Sequence, residues 1–217
     1  MKLKWDDTGK RLFELGVDRG VLFPMKDDGS YDKGVAWNGL TAVNESPSGA
    51  EANDLWADNM KYATLRSEEQ YEATIEAYTY PDEFGVCDGS AEVATGVHFG
   101  GQSRRPFGFS YRTKVGNEVK GMELGYKIHI VYGLTANPSE KNYETVNEDP
   151  DAMTFSWEVQ STPVPTEGFK PVSHITIDST KVDASKLEAL EAQLYGGESG
   201  DATLPTPTQI KTMMSGT

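Results

Sequence analysis

The sequence has little of what secreted proteins, redox proteins and membrane proteins depend on. It contains one cysteine, Cys87, among 217 residues, which excludes an intrachain disulfide and every two-thiol redox motif. We interpret Cys87 as the lone thiol of a protein from a reducing compartment rather than as a nucleophile. No apolar run approaches the roughly 20 residues of a membrane span, and the N-terminal segment lacks the apolar stretch of a signal peptide. We therefore expect a protein that is made in a cytosol and has no membrane partner.

Basic residues are also scarce. Lys and Arg total 20 against 34 Asp and Glu, which gives a net charge of −14 and a pI of about 4.6. Nucleic acids and anionic membranes are captured by basic surfaces, so neither is expected to bind tightly. The acidic excess is concentrated in residues 45–99, which hold 2 basic and 12 acidic side chains. This quarter of the chain is either a solvated face or a surface that repels polyanions.

Sequence signatures of catalysis and metal binding are missing too. The histidines, His98, His129 and His174, are far apart and belong to no HExxH motif, and we expect His129 and His174 to face solvent or an interface. No GxSxG motif or phosphate-binding loop occurs. Asp82 and Glu83 resemble hydrolase carboxylates, but adjacent acids after a strand-ending proline are more typical of a solvated turn. The sequence therefore predicts no enzyme activity, no cofactor and no metal.

What the sequence does contain is a repeated alternation of apolar and polar residues. Such runs lie within residues 35–43, 60–64, 71–77, 107–115, 126–132, 153–159 and 175–177. Each run predicts a strand with one buried and one polar face. Trp37 and Trp157 fall on apolar faces and are expected in the core rather than on a sugar-stacking platform. Because turn residues separate the runs, the predicted fold is mainly β, a β-sandwich or barrel.

One helix is predicted near the end of the chain, over residues 183–195. Asp183 is a plausible N-cap, Leu187, Leu190 and Leu194 share one helical face, and a Gly pair ends the helix. Residues 198–217 are rich in Gly, Ser, Thr and Pro and predict a flexible C-terminal arm. Within this arm, residues 209–214 are expected to make at most one short docking contact.

A long irregular segment is predicted over residues 45–58. Loops of this length without structure of their own are uncommon and are often functional. Leu55 and Trp56 stand among acidic residues there. Trp56 is expected either to fold back onto its own sheet or to anchor a partner subunit.

Several long motifs occur in order along the chain. They are GVAWNGLTAVNESPSGAE (34–51), ADNMKY (57–62), ATIEAYTYPDEF (73–84), YKIHIVYG (126–133), ANPSEK (136–141), FSWEV (155–159) and IDSTKV (177–182). Together they resemble the major tail protein family of long-tailed, siphovirus-type phages of Gram-positive bacteria. The resemblance extends over nearly the whole chain to about residue 197.

The resemblance implies a tail tube subunit. Such a subunit is a tail-tube-like β-sandwich or barrel, here over residues 1–197, with one flanking helix and extended loop and terminal arms. Six copies form a ring around an inner β-barrel, and rings stack into the tube through which the genome passes. The implied partners are further copies of the chain, the tape measure protein in the lumen, the tail terminator, the distal tail or baseplate proteins, and double-stranded DNA in transit. The implied place is the virion tail, assembled in the host cytoplasm, and no catalysis or cofactor is implied.

The resemblance also suggests which residues meet these partners. The segment 45–58 takes the position of a ring-to-ring contact loop, with the contact residues Glu45, Glu51, Asp54, Leu55, Trp56 and Asp58. We expect the strand over residues 71–80 to line the lumen, with the inward or rim carboxylates Glu72, Glu76, Asp82 and Glu83. Acidic groups there would keep DNA off the wall. Alternatively, these carboxylates face the outside or a seam between subunits.

Two other functions remain open from the sequence. One is a monomeric carbohydrate-binding or hydrolysing β-sandwich of a virion tip. The other keeps the tube but places it in a phage-derived particle that carries no DNA.

Overall fold

A computed structural model describes residues 2–146, 151–197 and 200–215. Its elements are β1 (Leu12–Pro24), β2 (Val35–Trp37), β3 (Leu40–Glu45), β4 (Ser48–Gly49), β5 (Ala52–Ala57), β6 (Met60–Arg66), β7 (Glu69–Gln70), β8 (Glu72–Ala77), a 3-10 turn (Asp82–Phe84), β9 (Ser90–Ala94), β10 (Val97–Gly100), β11 (Phe107–Asn117), β12 (Gly121–Ala136), β13 (Phe155–Ser161), β14 (His174–Asp178), α1 (Ala184–Tyr195) and α2 (Pro207–Ser215). The predicted mainly β class, consistent with a β-sandwich, is confirmed.

The main sheet is antiparallel and has the strand order β2-β1-β11-β12-β13-β8-β3, with β14 also paired to β12. The long strand β12 pairs with β14 along residues 127–131 and with β13 along residues 134–136. Gly133, between these two stretches, has φ +58, and a Cβ there would lie 2.4 Å from the Thr162 carbonyl oxygen. Glycine therefore permits β12 to pass from one partner to the next.

The first core is a cluster of aromatic rings enclosed by the main sheet. Trp37, Phe84 and Trp157 meet with ring centroids 4.6–5.5 Å apart and steeply inclined planes. Both tryptophans are buried, as their place in the alternating pattern predicts. On β8, Ala73, Ile75 and Ala77 point into this core, and the residues between them lie at the surface.

The second core lies on the opposite face of β12 and β14, under the helices. Leu187, Leu190 and Leu194 of α1 are buried there, so the predicted helix and its apolar stripe are confirmed. Asp183 caps α1 by accepting a hydrogen bond from the Ser185 amide, and Gly196, with φ 73, follows its last residue. None of the helices in the described ranges is long and apolar enough to cross a membrane.

The prediction of a flexible arm over residues 198–217 is wrong where the structure describes that segment. Leu204 and Ile210 are buried in the second core, and α2 packs beside α1. The Lys186 ammonium donates a 2.7 Å hydrogen bond to the Met214 carbonyl. Burial against α1 stabilises a nine-residue helix that would not form alone. Residues 198, 199, 216 and 217 of the predicted arm lie outside the described residues.

The prediction of an irregular loop over residues 45–58 is also wrong. β5 pairs with β6 as an antiparallel hairpin, and β4 pairs with β7 at its base. The hairpin turns at Asp58 and Asn59, which have φ 52 and 60, the positive values that a two-residue turn requires and that Asp and Asn tolerate. The strand predicted near residues 60–64 is present as β6, but it has no buried face. In β5 the large apolar residues Leu55 and Trp56 are adjacent rather than alternating, so the usual sequence signal of a strand is missing.

Candidate assembly site

The β5–β6 hairpin exposes a group of large apolar side chains. All six residues of β5 are exposed, and so are all of β6 except Ala63. The exposed apolar group is Leu55, Trp56, Met60, Tyr62 and Leu65. Trp56 is 69% exposed, so it does not fold back onto its own sheet. Several exposed large apolar side chains on one element are typical of an interaction site.

Polar contacts hold the hairpin in shape. The Asp54 carboxylate accepts a 2.7 Å hydrogen bond from the Thr64 hydroxyl and lies 2.7 Å from the Lys61 ammonium. These contacts hold the pKa of Asp54 below its ordinary value, the Lys61 contact most of all. An isolated two-stranded hairpin is marginal in water, so further burial against a partner would stabilise it.

The six predicted ring-contact residues are not all in one place. Asp54, Leu55, Trp56 and Asp58 lie on the hairpin, and Glu51 is exposed just before β5. Glu45 does not belong with them, because it ends β3 in the main sheet and pairs with Ala73. Glu45 is exposed, as predicted, but it belongs to a strand of the main sheet and not to a loop.

Two of the predicted lumen residues share the polar face of β8. The Glu72 carboxylate accepts a 2.8 Å hydrogen bond from the Ser48 hydroxyl, and the Glu76 carboxylate accepts one of 3.3 Å from the Asn44 amide. Glu158, exposed on the neighbouring strand β13, is opposite Thr74 of β8 and adds a third carboxylate. The β3–β8–β13 sheet therefore has an apolar face toward the core and an acidic face away from it.

The other two predicted lumen residues, Asp82 and Glu83, lie beyond the end of β8. They are exposed in the 3-10 turn, whose Phe84 is buried in the first core. In the described ranges, none of the carboxylates of Glu72, Glu76, Asp82 and Glu83 lies within 4.0 Å of a Lys, Arg or His nitrogen. The charge of this group is thus not neutralised within the chain.

The structure also brings together Glu45, His129 and His174 in a cluster that the sequence did not predict. The His129 Nδ1 and His174 Nε2 atoms are 3.4 Å apart, and the Glu45 Oε1 atom lies 3.9 and 3.5 Å from them. The hydroxyls of Tyr71 and Tyr111 donate to the same Glu45 oxygen, and the Tyr111 ring stacks on His129. His129 is buried and His174 half-buried, so of the two expected positions, facing solvent or facing an interface, the first is wrong for His129.

Burial sets the protonation of this cluster. It lowers the pKa of His129 and of His174, against the opposing effect of Glu45. It raises the pKa of Tyr71 and of Tyr111, which therefore remain protonated donors. The only sequence signal was that both histidines lie on the polar side of a strand; the pairing of β12 with β14 and the path of β3 bring them to Glu45.

The single thiol lies inside the first core. Cys87 is fully buried, and burial raises the pKa of its thiol to about 12. A neutral buried thiol is a poor nucleophile, which agrees with its interpretation as an unreactive side chain.

Comparison with known proteins gives little sequence similarity. No protein-family model matches the chain, and no curated protein matches it in sequence. A chain in the cryo-EM structure of the anti-feeding prophage (AFP) baseplate, 6-fold symmetrised, is similar in structure, with 6% sequence identity and a TM-score of 0.35. That match covers 84% of this chain and 100% of the other.

Proposed function

We propose that this chain is a structural virion protein, the subunit of a phage tail tube. Six copies form a ring, rings stack into a tube, and the tube conducts the genome during ejection. The observation that carries the proposal is the β5–β6 hairpin, which extends five large apolar side chains from the main sheet into solvent. A chain that exposes such a hairpin gains free energy by burying it on another molecule, and further copies of itself are the partners that a ring and a stack supply.

The sequence resemblance to the tail protein family supports this proposal, because the segment that forms β5 corresponds to the ring-to-ring contact loop of that family. The mainly β fold suits subunits that each contribute strands to a common barrel. The proposed assembly also includes the tape measure, terminator and distal tail proteins as neighbours, and the proposed place is the virion tail.

The acidic face of β3, β8 and β13 supports a role as the lumen wall. DNA in transit must not be held, because basic wall residues would release counterions from the duplex and retain it. Glu72, Glu76 and Glu158 bear negative charge on one face, away from the core. We therefore assign this face to the lumen.

Negative-stain microscopy of the purified full chain tests the proposal. We expect rings or tubes from the wild type, and a loss of stacked tubes in a double variant, Leu55→Ser with Trp56→Ser, because the hairpin then buries less apolar surface. Phe169→Ser is the matched control, since Phe169 is 65% exposed but lies outside the hairpin.

Other results would contradict the proposal. If the double variant formed tubes as well as the wild type does, the hairpin would not be an assembly contact. A wild-type chain that stays monomeric and is retained on immobilised polysaccharide would support the carbohydrate-binding function instead. Tubes recovered from particles that contain no DNA would favour the phage-derived particle.

A further inference from the structure

We propose that Glu45, His129 and His174 bind one divalent transition-metal ion, with Zn²⁺ as the best fit. The proposal is independent of the tail tube function. It assigns a ligand to a side-chain cluster at the edge of the first core, where Tyr71 and Tyr111 contact Glu45.

The spacing of the three ligand atoms is the first argument. A tetrahedral zinc ion with bonds of about 2.0–2.1 Å separates its ligand atoms by roughly 3.3–3.4 Å. The distances between His129 Nδ1, His174 Nε2 and Glu45 Oε1 are 3.4, 3.5 and 3.9 Å. Two of the three distances therefore match one face of the required tetrahedron, and the third must shorten by roughly half an ångström. Two imidazoles and one carboxylate are a donor set that zinc accepts, with a fourth position left for water.

The contacts behind the ligands are the second argument. The His129 Nε2 atom lies 3.0 Å from the Thr113 hydroxyl and 3.6 Å from a Glu14 carboxylate oxygen. An acceptor at this position keeps the proton on Nε2 and leaves the Nδ1 lone pair for the cluster, the arrangement that supports metal-bound histidines. The ligand oxygen of Glu45, Oε1, is itself held in place, because it accepts hydrogen bonds from the hydroxyls of Tyr71 and Tyr111.

The third argument is the rigidity and accessibility of the site. His129 and His174 lie on the paired strands β12 and β14, and Glu45 ends β3 from the other half of the sandwich. Exposure of the side chains increases from 11% for His129 through 23% for His174 to 34% for Glu45, so an ion can enter from the Glu45 side. The Thr176 hydroxyl lies 3.2 Å from His174 Nε2, within hydrogen-bond distance. An ion bound to His174 Nε2 would replace this hydrogen bond.

The position of Glu45 gives the ion a structural consequence. Glu45 is the last residue of β3, and β4, at the base of the β5–β6 hairpin, begins at Ser48. An ion shared with β12 and β14 fixes this base to the main sheet. Metal binding therefore stabilises the fold and restricts the hairpin.

The test uses full-length protein that has been stripped with a chelator and titrated with Zn²⁺ by calorimetry, and with Co²⁺ as an optical probe of geometry. We expect one ion per chain, the visible absorption of four-coordinate Co²⁺, and an increase in Tm of roughly 5–10 °C at a hundredfold excess of Zn²⁺ over Kd. His174→Ala should weaken binding more than about a hundredfold, because it removes a ligand rather than a supporting contact.

His98→Ala is the matched control. His98 is exposed on β10, outside the cluster, and its loss should leave affinity and stoichiometry unchanged. Equal affinity in His174→Ala and the wild type, absence of stoichiometric binding, or a six-coordinate Co²⁺ spectrum would each overturn the proposal. If metal-free unfolding shows that His174→Ala does not fold, Glu45→Gln replaces it in the same comparison, with the same expected loss.

Discussion

Arg112 and Asp18 connect β11 to β1 through two parallel hydrogen bonds of 2.7 and 2.8 Å. Asp18 lies between two irregularities in the β1–β11 register, where backbone pairing is interrupted. The Arg112 guanidinium also lies 4.8 Å from the centre of the Tyr126 ring. Its side chain is 14% exposed, so removal of Asp18 leaves a partly buried cation without its partner. The pair therefore compensates for the missing ladder bonds at this point of the sheet.

Asp18→Asn tests this contact. Hydrogen bonding to Arg112 holds the pKa of Asp18 below its ordinary value. The contribution of this contact to the free energy of unfolding is therefore fully present above about pH 4, and it is lost as the pH falls through the lowered pKa. Because the carboxylate is 35% exposed and solvent screens it, we expect a loss of only about 1 kcal/mol at pH 7. Urea unfolding at pH 7 and at pH 3 measures the difference, which should shrink at pH 3.

Asp7→Asn is the control for this prediction. Asp7 is 4.0 Å from Lys10 in an exposed pair, and its replacement should change the free energy of unfolding very little. Equal effects of Asp18→Asn and Asp7→Asn at pH 7 would contradict the structural role given to the Arg112 contact.

Strands that have one buried face were readily predicted from the sequence. β8 and β13 alternate cleanly because one side meets the aromatic core and the other meets water. The β5–β6 hairpin breaks that rule because both of its faces are exposed, and only β6 was predicted as a strand. α2 was missed because its burial depends on α1, which is a tertiary contact. The Glu45–His129–His174 cluster was missed for the same reason, since its members come from three strands distant in sequence.

Ile210→Ala tests whether α2 is part of the folded domain. Ile210 is 5% exposed in the second core, and truncation of a buried isoleucine costs about 2–4 kcal/mol. Thr208→Ala, an exposed change on the same helix, should have little effect. Thermal unfolding of the two variants compares them. If the thermal unfolding midpoint of Ile210→Ala equalled that of the wild type, the result would support the original prediction of a flexible C-terminal arm.

The whole molecule carries a net charge of −14, and its distribution matters more than its size. The acidic face of β3, β8 and β13 lies opposite the aromatic core, and the helices cover a different surface, over β12 and β14. The apolar hairpin lies within residues 45–99, the most acidic quarter of the chain. A subunit with these surfaces has one side suited to face a polyanion and one arm suited to bind another copy.

Charge reversal tests the acidic face. We expect Glu72→Lys with Glu76→Lys to assemble tubes but to slow DNA ejection, most strongly at low salt, because the wall then attracts the duplex. Glu123→Lys with Glu188→Lys changes the net charge equally at exposed positions on β12 and α1 and is the matched control. Ejection rates of assembled particles measure the effect. Normal ejection from normally assembled tubes of the first variant would exclude this face from the lumen.

A cryo-EM reconstruction of the particle that contains this chain is the decisive test of a ring-forming tail tube subunit. We expect six copies per ring around an open channel, with Glu72 and Glu76 on the channel wall and Trp56 buried against the adjacent ring. A reconstruction with the chain as an isolated domain at the tip, or with Trp56 exposed to solvent in the assembled particle, would contradict it.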